Sequence, residues 1–78
     1  MVINNGFCIQ YGQATGNSTV YLPLALQVRQ VVGNSQDTGD GSIIVCSFSN
    51  YLVGSFFIRA GFNGTAYNDV IHFIAITF

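Results

Sequence analysis

The residues that could carry chemistry are few: one histidine, His72; three acids, Asp37, Asp40 and Asp69; two cysteines, Cys8 and Cys46; and two cations, Arg29 and Arg59. A nucleophilic triad needs a histidine set between a hydroxyl and a carboxylate, so any such site must use His72. Its neighbours Ile71 and Phe73 are apolar, although Asn68 and Asp69 lie close by in sequence. That setting suits a core or interface histidine better than a base. Glycoside hydrolysis needs two carboxyl groups at a fixed separation, and Asp37 and Asp40 share one Gly-flanked stretch that does not fix them. The same stretch, Asp37-Thr38-Gly39-Asp40-Gly41, has two acids three apart, and the chain contains no glutamate. A calcium loop gathers about 6–8 oxygens, with several acids at alternate positions, so an exposed turn is the plainer reading. No catalytic residue, metal or cofactor is expected. Cys8 and Cys46 sit in apolar, strand-like runs. They are readable as a staple between strands or, preferably, as small buried hydrophobes in a chain folded in a reducing cytosol.

The elements that must position these residues are strands. Lysine and glutamate are absent, and β-branched and aromatic residues crowd the periodic segments, which suits a pleated, half-buried surface. Strands are expected at Gly6–Tyr11, Thr19–Leu22, Ser42–Phe48, Ser55–Ala60 and Val70–Phe78, with Leu24–Val32 an extended segment. In Ser55–Ala60, Phe57 and Arg59 face away from Phe56, Ile58 and Ala60. Both Ser42–Phe48 and Val70–Phe78 are apolar on both faces, as in strands covered on each side. Polar clusters at Gly12–Ser18, Gly33–Gly41, Ser49–Gly54 and Gly61–Asp69 are expected to be turns or loops. Pro23 cannot donate to a ladder, so it marks an edge, a bulge or a crossing between sheets. The fold class is therefore all-β: an antiparallel β-sandwich of about six to eight short strands, one domain over residues 1–78.

Composition bounds the partners. With 78 residues, one core is the limit, and a core of that size is marginal alone. Charged residues make up 6% of the chain while half of it is hydrophobic, against about 25% charged in an average domain. So much apolar surface points to an obligate oligomer of identical chains. Two cations form no phosphate-binding patch, which argues against nucleic acid and anionic membranes. No apolar run reaches the roughly 18 residues of a membrane span, and no basic segment precedes an apolar one as in a secretory leader.

Three short motifs occur in order: Gly-Phe-Cys-Ile-Gln-Tyr-Gly at 6–12, Val-Tyr-Leu-Pro-Leu-Ala-Leu at 20–26 and Phe-Ile-Ala-Ile-Thr-Phe at 73–78. With these the chain resembles, over residues 6 to 78, the C-terminal tip domain of phage and prophage tail fibres. There an Ile-Gln-Trp-Gly strand, a Phe-Pro-Ile-Ala-Phe-Pro segment and a terminal Trp-Ile-Ala-Ile-Gly-Tyr strand recur in that order. Here Tyr11 and Phe73 stand in place of tryptophans, Thr77-Phe78 in place of Gly-Tyr, and the second proline is missing. The resemblance implies a virion protein at the fibre tip, made in the bacterial host cytoplasm. It further implies a homotrimer about the fibre axis that adheres to a bacterial surface glycan or outer-membrane receptor. A purely structural trimerisation cap without receptor contact is the alternative, and a capsule depolymerase fragment is a third.

Under that reading the contact residues lie in loops. Sugars are held by an aromatic ring on their apolar face and by amide or guanidinium groups on their hydroxyls. Tyr67 with Asn63, Asn68 and Asp69 supplies that mixture in one loop, and Asn50 with Tyr51 a smaller version in another. Asn and Gly also serve turn geometry alone, and Tyr serves packing, so both readings stand at these positions. Arg59 is either a receptor contact or half of a rim ion pair. Asn17-Ser18-Thr19 and Asn63-Gly64-Thr65 match a glycosylation acceptor pattern, which in a protein made in bacteria marks only a surface turn.

Overall fold

Alternation of buried and exposed side chains organises the described residues into eight antiparallel strands. A computed structural model describes residues 2–4, 6–35 and 45–78. The strands are β1 (Val2–Asn4), β2 (Phe7–Thr15), β3 (Ser18–Tyr21), β4 (Val28–Ser35), β5 (Val45–Ser49), β6 (Ser55–Phe62), β7 (Thr65–Ala66) and β8 (Val70–Thr77). One sheet has the order β1-β2-β8-β4 and the other β3-β6-β5, with the two-residue β7 paired to β6. The two sheets face one another as an open sandwich.

Strand β8 is the axis of the larger sheet. It pairs with β2 from Cys8–Thr77 to Thr15–Val70, and with β4 from Val28–Thr77 to Ser35–Ile71. Ile71, Phe73, Ala75 and Thr77 of β8 are buried, and Val70, His72 and Ile74 are exposed. The expected coverage of both faces of this strand is therefore corrected to coverage of one. His72 leaves the core and stands on the outer face, in register between Gln13 and Asn34. In β4 the ladder slips at Arg29, where one extra residue is inserted between Val28 and Gln30. This bulge resets the alternation, so Val28 and Val31, three apart, both point into the core at 2% and 3% exposure.

The core is the interleaved inner faces: Val28, Val31, Ile71, Phe73 and Ala75 from one sheet, and Val20, Phe56, Ile58 and Ala60 from the other. Phe56 links the layers. Its ring meets Phe73 edge-on at 5.1 Å and Phe48 at 6.1 Å, the geometry that aromatic quadrupoles favour.

A buried polar network closes one end. Gln10, 1% exposed, donates from Nε2 to the Leu24 carbonyl at 3.3 Å and to Thr77 Oγ1 at 3.1 Å. Its Oε1 accepts from the Leu24 amide at 3.1 Å, and Thr77 Oγ1 donates to the Cys8 carbonyl at 3.0 Å. The carboxamide thus pairs with Leu24 as a backbone strand residue would. It ties down the segment after Pro23, where the chain crosses from β3 to β4 and so changes sheets. The three motifs at 6–12, 20–26 and 73–78 meet at this network.

Four boundaries differ from the sequence expectations. Gly12–Thr15 is strand, because β8 runs alongside and takes up its backbone groups, leaving Gly16–Asn17 as the turn. Gly33–Ser35 is strand rather than loop; β4 lies so close to β8 that a Cβ at Gly33 would collide with the His72 carbonyl. Gly61–Asp69 is a hairpin followed by a short loop. Its turn residues Asn63 and Gly64 have φ of 52° and 83°, as a tight two-residue hairpin requires. Strand β5 is at the edge of its sheet and alternates exposed and half-buried positions, so it is not covered on both sides. Ser42–Ile44 and the loop expected through Asp37 and Asp40 lie outside the described residues.

Candidate functional site

Beyond the end of β6 the hairpin β6–β7 and the loop to β8 are held by a single side chain, that of Asn17. With φ of 60°, a backbone conformation that asparagine tolerates better than most residues, Asn17 directs its carboxamide at Ala60. Nδ2 donates to the Ala60 carbonyl at 3.0 Å, and Oδ1 accepts from the Ala60 amide at 3.2 Å. Strand β3 pairs with β6 up to Ile58, and β7 pairs from Gly61. The side chain therefore fills the gap in the ladder between them. The same Nδ2 lies 2.9 Å from the Tyr67 carbonyl and 3.2 Å from Asn68 Oδ1. The Gly16 amide donates to the Asp69 carbonyl at 2.9 Å, and the Tyr67 amide to the Ala60 carbonyl at 3.1 Å. Residues 67–69 are thus fixed through their backbones while the Tyr67 ring stays exposed.

Beside this corner lies an open pocket of about 460 Å³, lined among others by Val45, Ser47, Arg59, Phe62, Asn63 and Thr65. Ser47 and Arg59 are register partners on the outer face of the smaller sheet. Phe62 and Val45 are exposed apolar groups at its edges. Arg59 makes no hydrogen bond or ion pair among the described residues.

Of the seven residues singled out in the sequence, Arg59 and Asn63 line this pocket. Tyr67, Asn68 and Asp69 are not in its lining; Tyr67 and Asn68 are joined to it through hydrogen bonds to Asn17, which is. Asn50 and Tyr51 are not in its lining: Asn50 follows the end of β5, three residues and roughly 10 Å of strand beyond Ser47. Tyr51 is occupied structurally: its hydroxyl accepts from the Val31 amide at 3.2 Å and its ring packs on the core. Asn50 has φ of 56° and serves the turn from β5 to β6. Asn17 was readable from the sequence only as a turn residue. No local signal shows that its amide completes a ladder 43 positions away.

Among the described residues no cluster of three or more His, Cys, Asp or Glu side chains is placed to hold a metal. Cys8 and Cys46 are free thiols. Burial pushes the Cys46 thiol above its ordinary pKa, and its Sγ lies 3.4 Å from the Gly33 carbonyl, so little thiolate is present for nucleophilic work. No helix among the described residues is long and apolar enough to cross a membrane.

Removing the clip has a readable effect. Asn17→Ala takes the acceptor from the Ala60 amide and the donor from two carbonyls, and it strains the left-handed backbone. The expected cost is about 2–3 kcal/mol. Asn17→Gly relieves the backbone strain and isolates the hydrogen-bond share. Hydrogen exchange read by NMR is expected to speed up at the Ala60 and Tyr67 amides in both variants while the β2–β8 ladder stays protected.

The fold and the pinned corner together define an open antiparallel β-sandwich that presents a short, rigid loop beside a shallow pocket. No family model, curated protein or solved structure matches the chain.

Proposed function

We propose that the chain is a fibre-tip adhesion module of the phage tail-fibre kind, which trimerises with its own copies and adheres to a bacterial surface glycan or outer-membrane receptor. The observation that supports self-association is the outer face of the larger sheet. Across β2, β8 and β4 it presents Tyr11, Ile74 and Val32 in one register row, at 64%, 47% and 53% exposure. Val70 lies beyond them, past the polar row of Gln13, His72 and Asn34, and at the other end Phe7 stacks on Phe78 at 6.0 Å. The apolar area is on the order of 500 Å², near the top of what a monomer leaves uncovered, and enough to seed an interface of standard size once its polar rim is added. The charge on this side is Arg29, whose guanidinium sits 4.7 Å above the Phe78 ring and donates to the Phe78 carbonyl at 3.0 Å. A second copy can cover such a face with little charge to desolvate. Adhesion is supported by the exposed Tyr67 ring on its fixed backbone, next to the pocket, and by the three motifs.

Sedimentation of the isolated chain is expected to give a trimer, and Ile74→Lys, a change confined to the outer face, a folded monomer. Labelled trimer is expected to bind within a panel of Gram-negative cells, and the double variant Tyr67→Ala, Asn68→Ala to lose that binding while remaining trimeric. A chain that stays monomeric at high concentration defeats the assembly reading. A trimer whose cell binding ignores the double variant leaves the structural-cap reading.

A further inference from the structure

We infer that the pocket between β5, β6 and β7 takes a monoanionic, carboxylate-bearing sugar residue, with Arg59 as the group that holds its acid. The inference rests on the adhesion reading and narrows its receptor to an acidic glycan. It begins from charge. The chain has two cations in all, and one of them, Arg59, stands in a pocket whose lining among the described residues contains no acid. The other cation, Arg29, is engaged with Phe78. Arg59 has no partner among the described residues, so of the acids open to a rim ion pair Asp69 does not form one, and Asp37 and Asp40 lie outside the described residues. No described lining residue forms a hydrogen bond or ion pair with it.

The rest of the pocket matches a sugar ring. Its volume of about 460 Å³ falls within the range of small-ligand sites. Val45 and Phe62 give the lining apolar surface, and Ser47, Asn63 and Thr65 give it hydroxyl and amide groups for ring hydroxyls; by register Val45 and Ser47 share the face of Arg59. All of these stand on paired strands or on the tight Asn63–Gly64 turn, so little ordering is needed on binding.

Charge matching selects carboxylate over phosphate. A planar guanidinium meets a carboxylate through two parallel hydrogen bonds and neutralises it one to one. A phosphate monoester carries nearly two charges and wants a second cation or a cradle of backbone amides, and the pocket supplies no second cation.

The test uses titration followed by NMR on the intact protein. The probes are short oligosaccharides of galacturonate, glucuronate and sialate, each beside its methyl ester, with a hexose phosphate as a further arm. At least one acid is expected to bind about tenfold tighter than its ester, with shifts centred on Ser47, Arg59 and Thr65. Arg59→Gln, an exposed change that leaves the fold intact, is expected to erase the acid–ester difference, and Arg59→Lys to retain part of it. Acids binding no better than their esters, a stronger response to the phosphate, or a preference that survives Arg59→Gln overturns the inference. If wild type and Arg59→Gln bind cells equally well, the acidic-glycan assignment alone falls. If neither glycans nor cells are bound by any form, the adhesion reading falls with it.

Discussion

Gln10→Leu is expected to cost the chain on the order of 4 kcal/mol, enough to leave much of it unfolded at room temperature. The substituted side chain is nearly isosteric, so the cost comes from what it abandons. The Leu24 amide and carbonyl both lose their partner, and Thr77 Oγ1 loses its donor, in a place where Gln10 and Thr77 are 1% and 0% exposed. Each buried polar group left alone costs about 1–3 kcal/mol. A domain of 78 residues has roughly 4–12 kcal/mol in total, so the loss is comparable with the lower end of the whole. Urea denaturation at fixed protomer concentration measures it. The double variant Gln10→Leu, Thr77→Val is expected to be less damaging than the sum of its parts, since it removes one orphaned group along with its partner. Full additivity of the two changes would show that the side chains act independently, against the geometry seen here.

Phe56→Ala is expected to be at least as severe, at about 3–5 kcal/mol. The ring is 1% exposed and bridges the sheets through Phe48 and Phe73, so truncation leaves a cavity and two rings facing it. Neither neighbour is free to fill the space: Phe73 is fixed in the central strand β8, and Phe48 in β5 by pairing with Ile58. Phe56→Leu keeps most of the volume and loses only the edge-to-face contacts, for about 1–2 kcal/mol. The ranking Ala far below Leu, read from denaturation midpoints, checks that packing rather than backbone pairing sets the effect. Equal losses would place the importance of Phe56 elsewhere.

How much of this was legible in the residues follows from which forces are local. The alternation of Phe56, Ile58 and Ala60 against Phe57 and Arg59 is a property of one strand, and it placed β6 correctly. The missing amide of Pro23 left an edge, a bulge or a crossing between sheets, and the crossing is what the fold uses. What escaped was set by partners far along the chain. Gly12–Thr15 and Gly33–Ser35 read as turns because glycine, asparagine and serine punctuate chains. They are strand because β8 lies between them and takes up their hydrogen bonds. His72 read as a core or interface residue from its neighbours Ile71 and Phe73; adjacent residues in a strand point to opposite faces, and the buried face fell to the odd-numbered set, which leaves only the outer-face half of that reading. Among the site residues, the mixture of Tyr67, Asn63 and Asn68 was visible as composition. That Arg59 and Asn63 share a pocket that Asn50 and Tyr51 do not line depends on strand direction, which composition does not encode.

The position of β8 between β2 and β4 bears on the order of events during synthesis. Cys8 pairs with Thr77 across 69 positions, and the two strands flanking β8 are joined in the sheet through this later-made neighbour. Such distant closure slows folding. While the ribosome is still working, the earlier strands have no central partner and their greasy residues stay uncovered. A polypeptide cut short before residue 70 lacks the centre of its larger sheet and leaves β2 and β4 without their shared partner.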